Sequence, residues 1–151
     1  AQDFHKMLKL FKLGLMDADQ FDIHRVSIVA YCPLTEPKSV RAKVLPKIRA
    51  MYEELKPKAA ELGVQFVDFE EYRMNASETP NQTQFYCIGP IESIQIVVSE
   101  IKKAFNRILP KTSDFRSVIA GADDDSASRS KLGKSTGVFR EYVEWLTNQS
   151  I

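Results

Sequence analysis

The most constraining feature of this sequence is a β-α-β pattern over residues 24–72. Residues 26–31 form a short apolar run that predicts a strand, and residues 36–62 place apolar side chains at helical spacing. Residues 64–72 alternate and are rich in Val and Phe, which is typical of a second strand. Gly63 stands between helix and strand, where a glycine can end the helix. This order places both strands in one sheet, with the helix packed on its face.

Two prolines lie inside the predicted helix. Pro46 and Pro57 each remove a backbone hydrogen bond, so we expect them to kink the helix or divide it. Basic residues line both edges of its apolar stripe, where long aliphatic stems can cover apolar surface while the charged groups stay in water. These residues are Lys43, Lys47 and Lys58 on one edge, and Arg41, Arg49 and Lys56 on the other.

A second β-α-β pattern follows the first. Residues 83–88 predict a strand, residues 94–108 an amphipathic helix, and residues 115–120 a final strand. The 74–82 loop is too short for a crossover, so the strands on either side of it should be antiparallel neighbours. We therefore predict an α+β fold with a ferredoxin-like split βαβ antiparallel sheet, in the order β-α-β-β-α-β. A parallel three-layer α/β fold is the alternative, which the short loop disfavours.

The pattern divides the chain into four segments. Residues 1–22 hold an N-terminal amphipathic helix and a linker, and residues 23–120 form the α+β core domain. Residues 121–137 have no apolar period, so we predict a mobile polar loop there. Residues 138–151 form a C-terminal helix. The two end helices either cover the second face of the sheet or project outward.

Composition indicates a soluble globular protein: the 151 residues are 44% hydrophobic and 27% charged. The net charge of +1 gives no overall attraction to nucleic acid or membrane, so any attraction must come from local patches. Cys32 and Cys87 lack metal-site spacing, and we predict buried thiols, no metal and no cofactor. We expect a cytoplasmic protein, with a membrane surface as one location. Secretion is the alternative, in which the cysteines could pair and Asn75, Asn81 and Asn148 would be glycosylation sites.

Residues 3–16 predict a short basic amphipathic helix that could carry the function. We expect it to dock on an anionic membrane surface or on a protein partner. The alternative is that it packs on the core of its own domain. The leading hypothesis is a non-enzymatic structural or adaptor protein that works through protein contacts, and exposed sheet edges favour a homo-oligomer. The residues predicted to make the contact are Phe4, Lys6, Met7, Leu8, Lys9, Phe11, Lys12 and Leu15.

Nucleic-acid binding is the second hypothesis, because the ferredoxin-like order is also that of the RNA-recognition motif, whose central strands stack bases on aromatic rings. The Gly- and Phe-rich signature of that motif does not occur on the third predicted strand. The candidate residues are Tyr31, Phe85 and Tyr86 for stacking, and Arg41, Arg49 and Lys56 for phosphate contacts.

A small enzyme is the third hypothesis, based on the carboxylates of Asp68, Glu70 and Glu71. Asp68 and Glu70 are two residues apart, which predicts that they share one face of the strand. Paired carboxylates can do acid–base work when their surroundings separate their pKa values. No catalytic residue is assigned, because no His or Cys is placed by the sequence to assist them. Residues 133–136, Gly-Lys-Ser-Thr, resemble the end of a phosphate-binding loop, but Ser128 stands where that pattern needs a glycine.

Overall fold

The computed structural model describes residues 4–31, 38–73, 80–109, 116–120 and 137–149. The helices of these residues are α1 (Phe4–Lys12), α2 (Lys38–Glu61), α3 (Ile91–Ile108) and α4 (Gly137–Thr147), with a 3-10 turn at Ala18–Phe21. The strands are β1 (Ile23–Tyr31), β2 (Gln65–Tyr72), β3 (Gln82–Pro90) and β4 (Arg116–Ala120). The loop predicted over 121–137 lies, except for its last residue, outside the described residues.

The described strands form one sheet in the order β2-β3-β1-β4. Every neighbouring pair is antiparallel, and Ser27 of β1 stands opposite Tyr86 of β3 on one side and Ala120 of β4 on the other. The predicted α+β class and antiparallel sheet are confirmed. The parallel alternative is wrong, because the connection between β2 and β3 is short enough to make them antiparallel neighbours, as the loop length indicated.

Apolar side chains form a core on both faces of the sheet. On one face, α2 and α3 cover alternating residues such as Val26 and Ile28 of β1 and Phe85 of β3. On the other face, α1, the 3-10 turn and α4 cover Ile23 and Ile88. This second layer covers only part of that sheet face. The residues of β1 that follow Ile23 on the same face are half-buried or exposed. One helical layer is therefore complete and the other partial.

A β-bulge in β2 brings two aromatic rings onto the same face. The register with β3 shifts between Val67 and Glu70, and Asp68 adopts φ 60°. In a regular strand, residues three apart point to opposite faces. Across this bulge, Phe66 and Phe69 both pack on Tyr52 of α2, with ring centroids 5.5 and 4.8 Å away. The extra residue thus places both rings in the core at the edge of the sheet.

Helix α2 differs from its prediction in two respects. It is a single helix from Lys38 to Glu61 that continues through Pro46 and Pro57, so the predicted division is wrong. Both prolines are exposed, and burial of the opposite apolar face offsets the two lost hydrogen bonds. Arg41 does not lie at a solvated edge: its side chain is 2% exposed, because it precedes the buried Val44 and Leu45 at helical spacing.

Helix α1 ends earlier than the sequence pattern predicts. Gly14 adopts φ 73°, its N–H donates to the Phe11 carbonyl, and the Leu15 N–H donates to the Leu10 carbonyl. These two bonds form a Schellman cap, which turns the chain away from the helix axis. Leu15 therefore does not continue the apolar face of α1. Gly63 ends α2 in the same way, with φ 87°, which confirms that glycine as a helix end.

Candidate functional site

Helix α1 packs on its own domain. Phe4 and Leu8 are 7% and 1% exposed and belong to the cluster formed by α1, the 3-10 turn, β1, β3 and α4. The Phe4 ring lies 6.3 Å from the Phe21 ring, and the Phe11 ring meets Phe21 edge-on at 6.2 Å. Met7 and Phe11 are half-buried. Phe4 and Leu8, which the sequence offered for partner docking, are thus occupied by internal contacts.

Gly63 is the point where α1, α4 and the sheet meet. A Cβ at Gly63 would stand 2.5 Å from two atoms of the Phe4 ring, and a Cβ at Gly89 would stand 2.6 Å from the Gly63 carbonyl oxygen. The buried Tyr142 hydroxyl donates a hydrogen bond of 2.8 Å to that same oxygen. Burial raises the pKa of Tyr142 well above its usual value, so the hydroxyl stays a donor. This close approach of backbone and ring is possible only without a side chain at Gly63.

Three exposed leucines lie in the last turn of α1 and in the turn that follows it. Leu10 is 37% exposed, Leu13 63% and Leu15 72%. Among the described residues only two other large apolar side chains, Tyr72 and Ile96, are comparably exposed, so the three leucines form the one sequence-local cluster of this kind. Apolar side chains grouped on a surface are typical of a site that contacts a partner or a membrane.

Lysines flank these leucines. Lys6, Lys9, Leu10 and Leu13 follow the i, i+3, i+4, i+7 spacing of one helical face. Residues 4–16 contain three lysines and no acidic residue. The third lysine, Lys12, donates a hydrogen bond to the backbone carbonyl of Gln149 just after α4, so it also ties the two end helices together. We call the set Leu10, Leu13, Leu15, Lys6, Lys9 and Lys12 the leucine–lysine surface.

The sheet face not covered by α2 and α3 carries two of the predicted stacking residues. Tyr86 is half-buried and lies under the Arg25 guanidinium, whose central carbon is 4.3 Å from the centroid of the tyrosine ring. The Gln84 side-chain amide donates to the Ser27 hydroxyl at 3.1 Å and to the Tyr86 hydroxyl at 3.2 Å. Tyr31 lies on the same face of the sheet. It is four residues along β1 from Ser27, the residue opposite Tyr86, and four residues of a strand span about 13 Å.

The other residues predicted for nucleic-acid contact do not join this face. Phe85 is 1% exposed and points into the core under α2, so it cannot stack on a base. Arg41 is buried on α2. Arg49 lies over the Phe69 ring at 5.2 Å, and Lys56 on α2 lies over a tyrosine ring at 5.5 Å. The predicted set is therefore divided between the two faces of the sheet.

The carboxylate cluster on β2 does not form the arrangement that the sequence predicted. The bulge interrupts the alternation that would give Asp68 and Glu70 a shared face. Asp68, Glu70 and Glu71 are all exposed, and Glu70 accepts a hydrogen bond from the Tyr72 hydroxyl, which raises the pKa of Tyr72. Among the residues that the structure describes, no group of three His, Cys, Asp or Glu side chains could hold a metal ion.

Cys87 is buried with a free thiol on the face covered by α2 and α3, and burial raises its pKa. Cys32, with which Cys87 could pair in a secreted protein, lies outside the described residues. No helix within the described ranges is both long and apolar enough to cross a membrane. Comparison with known proteins gives no family: no family model matches the chain, and no curated protein matches it.

The contact set predicted from the sequence and the leucine–lysine surface share Leu15 and the three lysines. Leu10 and Leu13 lie outside the predicted contact set, and their exposure follows from the docking of the opposite face on Gly63 and α4. Gly14 was the local sign that Leu15 leaves the apolar face of α1, since a glycine that caps a helix turns the chain away from the helix axis.

Proposed function

We propose that this protein is a non-enzymatic adaptor domain that docks on an anionic membrane surface through its leucine–lysine surface. The observation that carries the proposal is the exposure of Leu13 and Leu15, at 63% and 72%, beside three lysines in a segment with no acidic residue. Apolar side chains enter the boundary between lipid headgroups and acyl chains while lysines contact anionic headgroups. Anionic lipids concentrate on the cytoplasmic leaflet, which is where this adaptor would work.

The free energy of membrane binding expected from this surface is modest. A fully buried leucine side chain contributes about 1.5–3 kcal/mol, and a lysine near an anionic lipid surface about 1 kcal/mol. With the leucines 37%, 63% and 72% exposed, the three leucines and three lysines together give a gross gain of about 6–8 kcal/mol. The costs of association reduce this value. We therefore expect reversible binding that weakens with salt, suited to an adaptor that moves between a membrane and its protein partners.

Co-sedimentation of the full chain with vesicles tests this proposal. The chain should sediment with vesicles containing phosphatidylserine at low salt and remain in solution with phosphatidylcholine alone. A Leu13→Ser, Leu15→Ser variant should lose this binding, because both side chains are exposed and make the apolar contact. Ile96→Ser is the matched control, since Ile96 is 54% exposed on α3.

The proposal fails if the wild-type chain stays in the supernatant with anionic vesicles at low salt. It also fails if the Leu13→Ser, Leu15→Ser variant binds as well as the Ile96→Ser control. Capture by a protein without vesicle binding would instead assign the same surface to protein contacts. Deleting residues 1–16 is a poorer test, because it would remove Phe4 and Leu8 from a core cluster.

We also propose the ferredoxin-like split βαβ arrangement for the core domain. The sheet order β2-β3-β1-β4, with α2 between β1 and β2 and α3 between β3 and β4, supports it. Strand β2 is an edge of this sheet, and pairing of that edge with a second copy is the homo-oligomer we propose. The bulge at Asp68 limits the regular part of the edge, so we expect this association to be weak.

Binding of single-stranded nucleic acid is the second candidate function. The Arg25–Tyr86 pair, at 4.3 Å, on the same sheet face as Tyr31 favours it, because bases stack on aromatic rings and guanidinium planes. Tyr86→Ala should weaken binding of single-stranded RNA at about 50 mM salt, where phosphate contacts are strong. Lys103→Ala is the control, since Lys103 is exposed on α3. Absence of binding by the wild-type chain at that salt concentration would remove this candidate.

A further inference from the structure

A cavity lies between α1, the 3-10 turn and the start of α3. Its volume is about 360 Å³, which is within the range of sites for small molecules. Apolar side chains from three parts of the chain line it: Phe4 and Met7 of α1, Met16, and Ile91 of α3. Met7 and Met16 are half-buried, and methionine side chains adapt their shape to what they contact. None of the described lining residues belongs to the leucine–lysine surface.

Both charged side chains in the described lining of the cavity are acidic, and Ser93 adds a hydroxyl. Asp22 and Glu92 contribute carboxylates, and no basic side chain belongs to the described lining. The side chain of Asp22 is 51% exposed, and one of its oxygens lies 3.4 Å from Nε2 of His24, so the carboxylate still faces solvent. Gln20 also lines the cavity, but its side-chain oxygen already accepts a hydrogen bond of 2.8 Å from the Asp17 N–H.

The start of α3 does not cancel this negative charge. No side chain caps the first turn of α3, so the helix dipole brings about half a positive charge to this end of the cavity. Glu92 lies in that same turn and offsets the dipole. The Asp22 carboxylate adds a further negative charge, so the described lining of the cavity has a net negative charge. A cationic group is therefore favoured there, and an anion is disfavoured.

We propose that this cavity binds a small organic cation with an apolar body, namely a primary ammonium attached to a hydrophobic group. The ammonium donates hydrogen bonds to the Asp22 and Glu92 carboxylates at the polar side, since a charged donor and a charged acceptor make the stronger kind of hydrogen bond. The hydrophobic group packs between Met7 and Met16. Burial of this apolar group supplies affinity, and the two carboxylates select the cation.

Methionine-methyl NMR of the full chain tests this site with 2-phenylethylammonium as the probe. The sequence has four methionines, and Met51, a buried residue of α2, is an internal control. The methyl signals of Met7 and Met16 should shift in a saturable manner, and that of Met51 should not. The neutral analogue 2-phenylethanol should bind at least fivefold more weakly, and 3-phenylpropionate should not bind.

An Asp22→Asn, Glu92→Gln variant should bind the ammonium about tenfold more weakly. Asparagine accepts the left-handed backbone of Asp22, φ 51°, so this change removes charge without adding backbone strain. Glu100→Gln, which removes an exposed carboxylate farther along α3, should bind as the wild type does. The proposal is overturned if 2-phenylethylammonium leaves Met7 and Met16 unshifted. It is also overturned if the neutral analogue or the double variant binds as tightly as the wild type binds the ammonium.

Discussion

A Gly63→Ala substitution should release α1 from the body of the domain. At φ 87° a residue with a Cβ is strained by about 1–2 kcal/mol. The new Cβ would also stand 2.5 Å from two atoms of the Phe4 ring, so the ring must leave its position. Phe4 is 7% exposed, and complete loss of a buried phenylalanine from a core costs about 3–5 kcal/mol. Strain and partial loss of this contact together predict that the free energy of unfolding falls by about 3 kcal/mol.

Urea denaturation followed by the fluorescence of Trp145 measures this loss. Trp145 is the only tryptophan and packs on the same cluster as Phe4. Gly14→Ala is the matched control, because Gly14 also has positive φ, 73°, but has no atom within 4 Å of its added Cβ. That control should cost only the backbone strain.

A double-mutant cycle isolates the contact between ring and backbone. In a Phe4→Ala background, Gly63→Ala should cost only about 1–2 kcal/mol, since the clash is gone. The coupling between the two sites should therefore be about 1–2 kcal/mol. The reasoning is refuted if Gly63→Ala costs no more than Gly14→Ala, or if the coupling falls below about 0.5 kcal/mol.

Three further predictions concern buried or strained groups. Tyr142→Phe should cost about 1–3 kcal/mol in urea denaturation, because the Gly63 carbonyl loses its donor. Burial raises the pKa of Tyr142, so the stability that its hydroxyl contributes is complete below about pH 10 and is lost as pH rises further. The Tyr142→Phe variant should therefore lose less stability than the wild type between about pH 10 and 11. Burial also raises the pKa of Cys87. In a Cys32→Ser variant, Cys87 should therefore react with a thiol reagent only when the protein unfolds. Asp68→Gly should raise the melting temperature and Asp68→Val should lower it, since φ 60° favours glycine.

Local patterns in the sequence predicted the secondary structure and the class of the fold. Helical spacing placed α2 and α3, alternation placed β2, and glycine marked the end of α2 at Gly63. The short loop before β3 predicted an antiparallel sheet, because a short connection cannot make a parallel crossover. These features depend on neighbours along the chain, so the sequence alone was sufficient for them.

The features that the sequence missed or left open depend on contacts between distant parts of the chain. The bulge at Asp68 has no glycine to signal it, and it arises where Phe66 and Phe69 both pack on Tyr52. The docking of α1 depends on Phe4 meeting Gly63, 59 residues later, and on Tyr142 holding the same glycine. A helical wheel cannot show which apolar face of a short helix its own domain will cover.

Quenching of a tryptophan on the leucine–lysine surface by brominated lipids measures membrane insertion most directly. The probe is a Leu13→Trp, Trp145→Phe variant, because Leu13 is 63% exposed and Trp145 is the only native tryptophan. An Ile96→Trp, Trp145→Phe variant places the same probe on α3 as a control. With anionic vesicles at low salt, we expect strong quenching at position 13 and none at position 96. Equal quenching at both positions, or none at position 13, would contradict docking through this surface.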